Sequence, residues 1–129
     1  MHEADLSREV RLTVPACRDY ALVASMALCG LGMTAGLDMD LLGDLRTVVC
    51  ECVDCLTHQP MRPSELDVRA RVEGGRLYVS FCASGDIRAQ AHEPLDLEVT
   101  RGVLETLMPQ VRLRQEEGGV RGIECSMPV

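Results

Sequence analysis

The stretch Leu41–Gln59, LLGDLRTVVCECVDCLTHQ, is the one around which the chain is read. Its apolar residues Leu41, Leu42, Leu45, Val48, Val49, Cys52, Val53 and Leu56 fall at the i, i+3, i+4, i+7 spacing of a helix with one buried face. Asp38 or Asp40 can cap its start, because a short carboxylate accepts orphan backbone N–H groups there and complements the positive end of the dipole. Gln59-Pro60 and Arg62-Pro63 end it, since proline lacks the N–H and crowds the preceding turn. On a neighbouring stripe stand Glu51, Cys55 and His58, with Asp44 seven residues before Glu51. A carboxylate, a thiol and an imidazole in a row make either an active-site stripe or a half-exposed seam.

The bulk composition narrows the possibilities. At 129 residues the chain is expected to be a single domain, residues 1–129, with room for a real core. Aromatics are 2% and tryptophan is absent, so the core has to be built from Leu, Val, Ala, Met and Cys. A net charge of −7 argues against nucleic acid as a direct partner, because phosphate binding needs a basic face. Met1–Val10 is charged and lacks the apolar stretch of a signal peptide. Tyr20–Leu37 is rich in Ala and Gly and too weakly hydrophobic to demand a bilayer. The expectation is a cytoplasmic protein that does not bind a membrane.

Cys17, Cys29, Cys50, Cys52, Cys55, Cys82 and Cys125 show no disulfide-framework spacing. Cys52, Cys55 and His58 sit at i, i+3, i+6, a set of soft ligands able to hold zinc. With no second CxxC, the expectation is no metal, the thiols acting as small buried hydrophobes.

Along the chain, Glu9–Pro15 alternates polar and apolar and reads as a strand. Asp19 or Arg18 opens a helix over Tyr20–Ala35, with Leu22, Val23, Met26, Ala27, Gly30, Leu31 and Met33 in its helical period and Gly36 ending it. After the Leu41–Gln59 helix, Pro60–Ser64 reads as a turn. Leu66–Val72 and Leu77–Ala83 alternate around Glu73-Gly74-Gly75 and predict a β-hairpin. Ser84–Leu95, with His92, reads as a loop. Leu97–Met108 returns to helix with Val99, Val103, Leu104 and Leu107 inward. Val111–Gln115 and Val120–Met127 form a second hairpin around Glu116-Glu117-Gly118-Gly119. This order predicts an α+β fold, a two-layer sandwich of a mixed or antiparallel sheet with helices packed on one face.

Four phrases, Val14-Pro15-Ala16-Cys17-Arg18-Asp19-Tyr20, Gly30-Leu31-Gly32-Met33, Asp44-Leu45-Arg46-Thr47-Val48-Val49-Cys50-Glu51 and Glu105-Thr106-Leu107-Met108, stand in an informative order. With them the chain resembles the bacterial anti-sigma-factor serine/threonine kinases of the histidine-kinase-like ATPase (Bergerat-fold) superfamily over nearly its whole length. In that family a Glu activates the nucleophile, and an Asn four residues later binds the magnesium of ATP. The resemblance puts Glu51 on the Glu and Cys55 on the Asn. A thiol is a poor ligand for a hard cation that wants oxygen. A register one residue along would put Asp54 on the Asn and His58 on a family histidine, but it would place Cys50 on the Glu. The family's D-x-G-x-G meets Phe81-Cys82-Ala83-Ser84-Gly85-Asp86, one glycine and a displaced aspartate. Its phosphate-side glycines meet Glu98 and Thr100, where a side chain removes room and a carboxylate repels phosphate. The lid segment, Ile87–Asp96, is short.

The resemblance thus implies the fold and a degenerate nucleotide site comprising Glu51, as a vestigial catalytic position, with Cys55, Asp54, Asp86 and Thr100. The leading expectation is an anti-sigma-factor-like regulator that binds a sigma factor or an anti-sigma antagonist, with weak or lost ATP binding and a possible homodimer. One alternative is an active ATP-dependent protein serine kinase that keeps ATP and magnesium, with Glu51 as base and Asp54 recruited to the metal. Another is a thiol or metal module built on Cys50, Cys52, Cys55 and His58. Each site residue also has a plain reading: Glu51 as a solvated carboxylate paired with Arg46 or Arg88, Cys55 as packing, His58 as a partner of the helix dipole, Asp86 as a turn residue.

Overall fold

The computed structural model describes residues 9–91 and 96–129. Its elements run β1 (Glu9–Pro15), a 3-10 turn (Arg18–Tyr20), α1 (Ala21–Thr34), α2 (Met39–Thr57), β2 (Met61–Glu73), β3 (Arg76–Ala89), α3 (Leu97–Leu107), β4 (Gln110–Glu116) and β5 (Gly119–Pro128). The five strands form one antiparallel sheet in the order β1-β2-β3-β5-β4. The helices cover one face of it, giving the expected α+β sandwich with an antiparallel rather than a mixed sheet.

Local chemistry explains the two hairpins. Gly74 and Gly75 have φ of 58° and 75°, the left-handed pair that a two-residue turn between right-twisted strands requires. Between β4 and β5, Gly118 and Gly119 have φ of 96° and 115°. Gly119 also makes room, because a Cβ there would collide with the Gln59 side chain.

Helix α2 is the spine of the helical layer. Asp38 caps it, its carboxylate accepting from the Leu41 N–H at 2.9 Å. Leu45, Val48, Val49, Cys52, Val53 and Leu56 are buried against β2, β3 and β5, where they meet Leu66, Val68, Leu77, Val79, Phe81 and Ile123 in one core. The face predicted from periodicity is the face that packs.

Helix α1 corrects the sequence reading. Its buried residues are Ala21, Ala24, Ser25, Leu28 and Gly32, while Leu22, Val23, Met26 and Met33 point outward. The small residues let α1 lie close to its neighbours: a Cβ on Gly32 would come within 2.9 Å of Leu42 and 3.0 Å of Leu37. A helix that is apolar all round carries no periodic mark of its inner face, so periodicity selected the larger side chains.

Three further expectations change. Pro60–Ser64 is not a separate turn, because β2 begins at Met61. Pro63 is accommodated because β1 pairing stops at Glu65, and a bulge at Ser64 absorbs the kink. Nor is Ser84–Leu95 wholly loop. Strand β3 continues to Ala89, with Gly85 at φ 74° giving space to Ser64, whose hydroxyl accepts from the Asp86 N–H at 2.8 Å. Gln90 and Ala91 follow outside any strand, and the rest of that expected loop, with His92, lies outside the described residues. In α3, Val99 is 61% exposed and Thr100 is buried instead, beside Leu104.

Candidate functional site

The residues that the resemblance assigns to a nucleotide site sit mainly on the second half of α2. Glu51 is half-buried and makes no ion pair within 4 Å among the described residues, so the expected partners Arg46 and Arg88 are not engaged. Cys55 is 1% exposed and belongs to the core, not to an open stripe. Burial, followed by the nearby Glu51 and Asp54 carboxylates, pushes its thiol up to about 11. At neutral pH the thiol is protonated, and its burial keeps it out of contact with solvent.

Asp54 turns toward the 3-10 turn. Its Oδ1 lies 3.6 Å from the Arg18 Nε, too long for a hydrogen bond, and has no hydrogen-bond partner among the described residues. His58 is exposed and donates from Nδ1 to the Asp54 carbonyl at 2.7 Å, closing the last turn of α2. Asp86 is exposed in the tail of β3 rather than in a turn. Thr100 is buried in the first turn of α3, behind the Asp96 cap whose carboxylate accepts from the N–H groups of Glu98 and Val99.

Sequence reasoning missed the group that closes this end of α2. Gln59 is 5% exposed. Its amide nitrogen donates to the Cys55 carbonyl at 2.7 Å, and its amide oxygen accepts from the Val120 N–H at 2.9 Å. Gln90 donates from its side chain to the carbonyls of Thr57 and Gln59, at 2.8 and 2.9 Å. Two glutamine side chains thus satisfy orphan carbonyls at the helix end and stitch it to β5 and the end of β3. Only the Gln59-Pro60 break hinted at a special position.

The position that the resemblance assigns to a magnesium ligand holds a buried thiol, the neighbouring carboxylate faces Arg18, and side chains stand at the positions it assigns to the phosphate-side glycines.

Of the other thiols, Cys52 and Cys125 are buried, Cys17, Cys29 and Cys82 half-buried and Cys50 exposed. All seven are free. Burial first, then the neighbouring Cys125 thiol on β5, pushes the Cys52 thiol well above its ordinary value. Among the described residues no three His, Cys, Asp or Glu side chains come together in a way that could hold a metal ion. No helix among them is long and apolar enough to cross a membrane.

No family model and no curated protein matches the sequence. The structure, however, is similar to a solved one, the RsbU and RsbW domains of Rv1364c from Mycobacterium tuberculosis, with a TM-score of 0.70 at 16% identity. The match covers 95% of this chain and 32% of that one, so the chain spans about a third of its length. At this identity the likeness shows the fold alone: the five-stranded antiparallel sheet with helices on one face is shared with part of that structure.

Proposed function

We propose that this protein is an anti-sigma-factor-like regulator acting by protein–protein binding, with ATP binding weak or lost. The fold likeness supports the family reading. The observation that carries the binding role is the outer face of α1. Leu22, Met26 and Met33 are 59%, 68% and 66% exposed, on a helix without a single charged residue. An uncharged apolar face of this kind marks a contact surface rather than a solvated one. Its occupants are a second copy of the chain in a homodimer and a sigma factor or anti-sigma antagonist in the cytoplasm.

The loss of nucleotide is supported by the burial of Cys55 at the position where magnesium needs an oxygen. An active serine kinase would need Asp54 to leave Arg18 and take the metal while Glu51 served as base. Isothermal titration with ATP, with and without magnesium, tests this reading. No heat at millimolar ATP agrees with it. Magnesium-dependent tight binding that is lost in Glu51→Ala overturns it in favour of the kinase. Sedimentation of wild type against Met26→Lys tests the contact face, with weaker self-association or weaker partner binding expected in the variant.

A further inference from the structure

The sheet face opposite the helices has no covering layer among the described residues, and its charge pattern differs from that of the rest of the molecule. Register places Arg69, Ser80, Glu124 and Arg112 in one row across β2, β3, β5 and β4. The next row is Asp67, Cys82, Gly122 and Arg114. Alternation puts both rows on the open side, because Val68, Phe81 and Ile123 between them are buried in the core. A hollow of about 490 Å³ lies over these rows, and one of about 240 Å³ adjoins it beside Arg71 and Tyr78.

The chain carries 13 cations, all of them arginine, against a net charge of −7. Helix α2, by contrast, bears Asp40, Asp44, Glu51 and Asp54 against Arg46 alone. On the open face some arginines are already paired: Arg71 with Glu73 at 3.2 Å, and Arg114 with Glu116 at 2.9 Å. Arg114 also crosses β5 over Gly122, where a Cβ would press on its guanidinium at 3.0 Å, and donates to the Cys82 sulfur at 3.1 Å. Asp67 accepts from the Thr13 hydroxyl at 2.8 Å. Arg69 and Arg112 make no ion pair among the described residues, and Ser80 and Glu124 stand between them in register.

We infer that this open face docks an extended acidic segment of a protein partner, whose carboxylates are taken by Arg69 and Arg112. The guanidinium fork engages a carboxylate through two parallel hydrogen bonds. Three strand spacings separate the two arginines, roughly 14 Å, close to the ~13 Å between side chains four residues apart in an extended chain. Nucleic acid suits the face less well. Asp67 and Glu124 share the hollow and repel a continuous phosphate backbone, and the lone aromatic, Tyr78, is covered by the Arg71 guanidinium at 4.4 Å. The inference is independent of the proposed role of α1.

The test is fluorescence anisotropy of the full chain with a labelled Gly/Ser peptide carrying Glu at every fourth residue. A Gln-for-Glu peptide and a single-stranded DNA oligonucleotide of equal charge serve as comparison probes. Binding of the Glu peptide is expected to weaken about tenfold in Arg69→Gln/Arg112→Gln, the size of two partly exposed ion pairs, and to fade at high salt. Arg101→Gln, a charge change on α3, should leave it unaltered. The inference is overturned if the Glu peptide binds no better than the Gln peptide, if Arg101→Gln weakens it as much as the double variant does, or if the oligonucleotide binds more tightly than the peptide.

Discussion

Helices α1 and α2 lie side by side on the same sheet and solve the packing problem in opposite ways. Helix α2 turns its large residues inward, with Leu45, Val48 and Leu56 fully buried, and keeps Asp40, Arg46 and Glu51 toward solvent or half-covered. Helix α1 turns Ala21, Ala24, Ser25 and Gly32 inward, with Leu28 its one large buried side chain, and leaves Leu22, Met26 and Met33 outside. The first arrangement anchors a monomer. The second brings backbones close on the inside and spends the large apolar side chains on a surface that a partner can cover. The difference teaches that the total hydrophobicity of a helix says little about which side holds the fold together.

That contrast can be broken experimentally, beginning with the largest effect. Leu56→Ala should cost about 2–5 kcal/mol in urea unfolding, because a fully buried side chain is replaced by a cavity. Gln59→Leu should cost about 1–3 kcal/mol, since it strands the buried Val120 N–H and removes a donor from the Cys55 carbonyl. Ala24→Leu should cost a comparable 1–3 kcal/mol, approximately, by wedging α1 away from its close-packed seat. If that variant were as stable as wild type, the inner face of α1 would not be tight. Met26→Gln should change unfolding by no more than about 0.5 kcal/mol at protein concentrations where the chain is monomeric, while weakening association.

The smallest effect near neutral pH belongs to Cys55. Its thiol sits at about 11 in the fold against an ordinary 9, so the folded state favours the protonated form. The stability it contributes is complete below pH 9 and is lost as pH rises from 9 towards 11. At pH 8, iodoacetamide should label exposed Cys50 and spare Cys55 in the native chain. Mass spectrometry of the labelled peptides reads this directly, and equal labelling would show that the end of α2 opens.

Much of the fold was legible because its signals are local. The Gly74-Gly75 pair, the alternation on each side of it and the Asp38 cap are stretches whose chemistry works within a few residues. The candidate site was legible only as positions. The resemblance assigns Cys55 to a magnesium-ligand position, but the closure of that end of α2 by Gln59, Gln90 and β5 is built from residues 31 to 61 positions apart. Val99, expected inward, faces out and Thr100 is buried because the short amphipathic pattern of α3 left its inner edge to be chosen by the neighbours.

The amino-acid order by itself determined the α2 face, the two hairpins and the sequence of strands and helices, since periodicity and turn chemistry are properties of neighbouring residues. Tertiary structure alone decided which side of the uniformly apolar α1 is buried, that the thiol of Cys55 is sealed, and that Arg69 and Arg112 share a row on an open sheet. Those outcomes depend on close approach and register between distant segments, and no local pattern encodes them.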